Sequence, residues 1–169
     1  KISSKNISIT FIGMPGAGKS YVSNILSKEY NITLLELDEI IEQKYNMTLP
    51  EIIKIYGEEE FKKIEEQTML EIDFSKQSII STGGSVIYYD KGMEYLNNNN
   101  NIIVYLDTNY DNLKERTNNF TNRGIVFNKQ TPQELYRKRN ILYKKYSQIK
   151  VDFSNNDKDF ICNMFRFLK

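Results

Sequence analysis

The chain has 169 residues, with 23 Lys and Arg against 22 Asp and Glu for a net charge of +1. That is enough chain for one domain burying about 70% of the surface its unfolded form would expose, and the charge balance provides no broad field for nucleic acid or an anionic membrane. The single Cys162 excludes an internal disulfide, no apolar run approaches the roughly 18 residues of a membrane span, and the absence of histidine excludes imidazole bases and His-ligated zinc. Any general base must then be a carboxylate or a lysine. Residue 1 is Lys and no leader pattern precedes the first strand-like run, which reads as a piece of a longer chain.

In chain order, residues 7–12 are a β-branched, apolar run that reads as a buried strand, and residues 19–30 take helical spacing with Val22, Ile25 and Leu26 on one face. Between them, Gly13-Met14-Pro15-Gly16-Ala17-Gly18-Lys19-Ser20 fits G-x-x-x-x-G-K-[ST] in the strand-to-helix context this loop requires. Gly13, Gly16, Ala17 and Gly18 let backbone N–H groups curl around a phosphate, at a helix N-terminus that favours negative charge. Lys19 is placed to reach the β and γ phosphates of ATP, and the Ser20 hydroxyl to ligate Mg2+. Residues 32–37 read as a second strand that delivers Glu36 and Asp38, two residues apart and so on one face, to the edge where open α/β sheets bind ligands. With no histidine available, Asp38 is the candidate to orient or deprotonate an attacking hydroxyl, and Glu36 to hold Mg2+ through a water.

Helical segments follow at 39–45, at 50–56 with Pro50 in its first turn, and at 58–73, broken at Gly57. Residues 78–82 form a strand closed by Gly83-Gly84, and 102–106 another, followed by a helix at 110–117. Residues 118–131 are too polar for a core element and read as a lid. The chain closes with a helix at 132–146, a strand at 148–151 and a helix at 157–167. Five strands alternating with helices predict a single α/β domain over residues 1–169, a parallel sheet covered by helices on both faces.

These motifs, in this order, resemble the shikimate kinase family of small P-loop kinases. The resemblance rests on 13–20, on Glu36-Leu37-Asp38 for an Asp-x-Asp pair, and on residues 57–65 for G-E-x-x-F-R-x-x-E. It continues with Thr82-Gly83-Gly84-Ser85 for T-G-G-G, with Arg116 and Arg123-Gly124-Ile125 for an Arg-rich lid, and with Arg139-Asn140-Ile141-Leu142-Tyr143 for R-x-x-L-Y. It implies a five-stranded sheet in the order 2-3-1-4-5, an acceptor-binding region at about 39–73 and a mobile lid at about 118–131. It also implies transfer of the ATP γ-phosphate to a hydroxyl of a small carboxylated metabolite, shikimate first among them, with Mg2+. In that scheme Asp38 contacts the acceptor hydroxyls, Gly83 and Gly84 line the acceptor pocket and Arg139 grips its carboxylate. Arg116 stacks on adenine and Arg123 comes from the lid to the transferring phosphate. A cytoplasmic monomer, with a small-molecule substrate and no nucleic-acid or membrane partner, is the expected setting.

The departures fall mostly on the acceptor side. Glu36 stands for the first Asp, Lys62 for a carboxylate-gripping Arg, Ser85 for the third Gly, and Arg-Gly-Ile for R-P-L. Lys62 loses the bidentate fork of a guanidinium. Because the ATP half is intact, this asymmetry points to a modified acceptor; the alternatives are a related kinase for another small alcohol or a nucleoside monophosphate, or a non-catalytic nucleotide-binding domain. Tyr136, Tyr143 and Tyr146 read as core or surface aromatics, and Glu58 to Glu60, Glu65 and Glu66 as a helix start and its exposed face. Cys162 reads as a buried small hydrophobe, and the run at 97–101 as codon bias without function.

Overall fold

In the computed structural model, which describes residues 6–117, 130–155 and 157–168, the apolar runs become strands, and the central ones have no face left for water. β1 (Ser8–Ile12) is buried at every position. With β2 (Thr33–Glu36), β3 (Ser78–Ser81), β4 (Asn101–Asp107) and β5 (Ile149–Asp152) it forms a sheet ordered β2-β3-β1-β4-β5. Each neighbouring pair is parallel, with Ile9 opposite Ile79 on one side and Ile102 on the other. Parallel pairing requires crossovers, and the helices provide them. They are α1 (Lys19–Tyr30), α2 (Leu37–Tyr45), α3 (Leu49–Tyr56), α4 (Glu58–Leu70), α5 (Asp90–Asn98), α6 (Tyr110–Arg116), α7 (Pro132–Tyr146) and α8 (Lys158–Met164). The core between sheet and helices includes Phe11, Ile12, Leu26, Ile79, Val104 and Phe165.

Helix starts are written in local chemistry. Thr48 with Glu51 and Thr131 with Glu134 form reciprocal capping boxes, each followed by a proline in the first turn, and these fix where α3 and α7 begin. Asn31 and Asn46 take left-handed conformations that end α1 and α2.

Four expectations are corrected. Asp38 does not end a strand: β2 stops at Glu36 and Asp38 lies in the first turn of α2, where a carboxylate is favoured by the helix dipole. Glu65 is not on an exposed face but is buried, because α4 packs that side toward the Gly83–Ser85 loop. Cys162 is only half-buried. A helix the pattern did not disclose, α5, buries Met93 and Leu96, and its Gly92 lies so close to Met69 that a Cβ there would stand 2.8 Å from the sulfur. The lid segment 118–129, with Arg123, lies outside the described residues. Among the described residues no helix is long and apolar enough to cross a membrane.

Candidate active site

The carboxyl ends of β1, β2 and β3 open onto one cleft of about 1530 Å³ lined by the 15–20 loop, α2, α3, α4, residues 81–85 and α7. Open α/β sheets bind ligands at this edge. One end of the cleft is made of backbone. Gly16 and Gly18 have φ of 82° and 102°, and a Cβ on Gly16 would stand 2.6 Å from the Thr117 methyl. Gly18 also begins α1 without a side-chain cap, and no acidic residue of α1 sits in that first turn, which leaves the positive end of the helix at the cleft. Lys19, buried, donates to the carbonyls of Gly13 at 2.8 Å and Met14 at 3.0 Å, which keeps its ammonium inside the loop.

At the mouth of that loop Ser20 Oγ donates to Glu36 Oε2 at 3.1 Å and lies 3.4 Å from Ser81 Oγ. Among the described residues no group of three or more His, Cys, Asp or Glu could hold a metal alone. A hard cation with one hydroxyl, one carboxylate, phosphate oxygens and waters fits this donor set, the pattern of Mg2+ beside a nucleotide. Arg116 borders the cleft and donates to the Gly16 carbonyl at 3.3 Å, beside the loop; Gly16, Gly18, Lys19, Ser20, Glu36 and Arg116 thus line one end, while Gly13 and Ala17 of the same loop are buried behind it.

The other end is made of side chains converging on two glycines. A Cβ on Gly83 would lie 3.1 Å from both Asp38 Oδ1 and Glu65 Oε1; one on Gly84 would strike Pro15 Cδ at 2.7 Å and Arg139 Nη1 at 2.9 Å. Only bare backbone fits there. On α7, Arg137, Lys138, Lys144 and Lys145 are exposed, whereas Arg139 is 4% exposed and its guanidinium lies over the Tyr88 ring, 5.5 Å from the centroid. Its buried Nε has no hydrogen-bond partner among the described residues. A buried donor of this kind calls for an anion. Lys62 reaches the rim of the same cleft, 2.6 Å from Glu59.

Two supporting residues were not singled out for function from sequence. Tyr143, fully buried and stacked on Tyr105, donates to the Gly84 carbonyl at 2.6 Å, and burial pushes its hydroxyl up to about 12. The R-x-x-L-Y spacing carried that signal, since residues four apart share a helix face. Glu65 accepts from Ser85 and Tyr89; burial pushes its carboxyl up to about 7, those hydroxyls pull it back, and the Asp38 charge pushes it up.

The family model for shikimate kinase matches residues 15–168. Shikimate kinase of Lactococcus lactis subsp. lactis is 32% identical over 95% of this chain and 96% of its own length. That of Staphylococcus aureus strain MSSA476 is 36% identical over 85% and 83%. The structure of Acinetobacter baumannii shikimate kinase in complex with shikimate superposes with a TM-score of 0.83 at 25% identity, covering 97% of this chain and 94% of that one.

Proposed function

The chain belongs to the shikimate kinase family, and on that premise we propose that it transfers the γ-phosphoryl group of ATP to a hydroxyl of shikimate, giving shikimate 3-phosphate. The observation that carries this reading is the pair Gly83-Gly84, where one carboxylate (Asp38), one buried guanidinium (Arg139) and the phosphate loop (Pro15) approach the same stretch of bare backbone. A small acceptor bearing both a hydroxyl and a carboxylate is the ligand that satisfies both side chains at once.

Each residue then has a task. The α1 N-terminus and Lys19 hold the phosphates of ATP, and Ser20 with Glu36 would hold Mg2+, which would supply charge neutralisation for the transferring phosphate. Asp38 accepts the proton of the attacking hydroxyl and aims its oxygen. Arg139 takes the acceptor carboxylate in a two-pronged contact, and Lys62 adds a second positive charge from the rim. Arg116 lies against the adenine; Arg123, expected at the transferring phosphate, lies outside the described residues. ADP release by the purified chain with MgATP, with shikimate, without acceptor, and with a panel of hydroxy acids and nucleoside monophosphates, tests the reading. Shikimate-dependent turnover is expected, and none above the acceptor-free rate would overturn it.

A further inference from the structure

One buried carboxyl in the cleft has no part in the phosphoryl transfer just described. Glu65 stands three residues after Lys62 on α4, a spacing at which a lysine and a glutamate pair across a helical turn. Here they do not. Lys62 Nζ lies 2.6 Å from Glu59 Oε1, in a pair whose glutamate side chain is 84% exposed. Glu65 instead is 6% exposed, with Ser85 Oγ at 3.0 Å from each of its oxygens and the Tyr89 hydroxyl bonded to Oε2.

The two hydroxyls are held at a fixed separation. Ser85 and Tyr89 bracket a single 3-10 turn, Val86–Tyr88, whose backbone closes through Tyr88 N to Ser85 O and Tyr89 N to Val86 O, both at 3.0 Å. Val86 and Ile87 anchor that turn in the core. On the opposite side Glu65 Oε1 faces Gly83, with Asp38 Oδ1 equally near it. The charged and titratable groups that reach Glu65 are Asp38 from α2, Arg139 from α7 and Tyr89 at the head of α5; on its own helix Lys62 is turned to the rim.

We propose that Ser85 and Tyr89 are positioning residues for the acceptor: their hydroxyls clamp Glu65 against Gly83 and Asp38 and withhold it from Lys62, leaving that ammonium at the rim for the acceptor's carboxylate. The exposed Lys62–Glu59 pair is weak and readily exchanged for a better anion, whereas a pair with a buried glutamate would compete with the acceptor. A hydroxyl in place of the family's third glycine thereby has a use. The claim about Lys62 rests on the acceptor reading above; the clamp itself does not.

Tyr89→Phe and Ser85→Ala each delete one hydroxyl at little change in volume, so two kinds of measurement separate the possibilities. In steady-state kinetics, the KM for shikimate is expected to rise about five- to twentyfold in Tyr89→Phe, with the KM for ATP unchanged within about twofold. Equal rises for both substrates would indicate general damage and overturn the positioning role, as would no rise for shikimate. Carboxyl-carbon NMR of the glutamate-labelled chain reads the clamp without any acceptor. Glu65 is expected to titrate near 7 in the parent, and higher in each variant, because the lost donors favoured the ionised form. An unmoved midpoint overturns the clamp even if shikimate is turned over. Conversely, a moved midpoint in a chain that does not turn over shikimate keeps the clamp and discards the acceptor reading.

Discussion

The phosphate loop and the acceptor pocket share a wall but are built in opposite ways. The loop is eight consecutive residues whose working parts are backbone N–H groups and one lysine, with glycines in conformations that side chains disfavour. The acceptor pocket we propose is assembled from Asp38, Lys62, Glu65, Gly83 to Ser85 and Arg139, cleft-lining residues drawn from four separate segments. A backbone site tolerates almost no variation within its span, while a side-chain site is adjusted one residue at a time. The departures at Lys62 and Ser85 both fall in the second kind.

The comparison is broken most severely at Lys19. Lys19→Ala is expected to lower turnover by about 10³-fold or more while circular dichroism and the melting temperature stay near those of the parent; appreciable remaining activity would place the phosphate site elsewhere. Next comes Asp38→Asn, which keeps the shape but removes the proposed proton acceptor. Its kcat should drop by about 10²- to 10³-fold with ATP affinity within about twofold, as measured by initial rates and nucleotide titration. Loss of ATP affinity instead would merge the two halves into one.

Glu65 sharpens the comparison through stability. Its carboxyl keeps its proton up to about 7 in the folded chain, against an ordinary 4.5. Between those values the folded chain binds more protons than the unfolded one, so the contribution of this group is full below about 4.5 and is lost as the pH rises through about 7, a loss on the order of 3 kcal/mol. Glu65→Gln should flatten that slope in urea midpoints taken from pH 5 to 8; identical slopes would mean that Glu65 ionises at its ordinary value. The smallest effect belongs to the rim. Lys62→Arg restores a forked contact and is expected to lower the KM for shikimate by up to about tenfold, and an increase would show that the rim is shaped for an ammonium.

Legibility in the sequence follows the same division. The strands, α1 and α7, and the whole phosphate loop were readable, because apolar runs, glycines and a strand-to-helix context are local signals, whereas the order of the strands came only with the resemblance to the family. Asp38 was singled out although its local structure was misread: a four-residue strand passes into a helix with no breaker between them, and alternation cannot mark that boundary. The burial of Glu65 was not readable at all, since its partners Ser85 and Tyr89 lie 20 and 24 residues away. α5 was hidden by Gly92 and by the asparagine run that begins in its last turn. That run also contains a residue with structural work. Asn101 in β4 is buried, accepts from Thr10 at 2.9 Å and donates to the Leu96 carbonyl at 3.1 Å, a role indistinguishable by composition from its exposed neighbours.

The gap between Gly84 and Pro15 is narrower than a methyl group. A shift of the loop at Pro15 therefore has little room before it meets the glycine floor of the cleft. If ATP tightens acceptor binding by some factor, the acceptor must tighten ATP binding by the same factor. Gly84→Ala, which forces that wall apart, is expected to alter both affinities together, and a change in one alone would show that the wall does not link them.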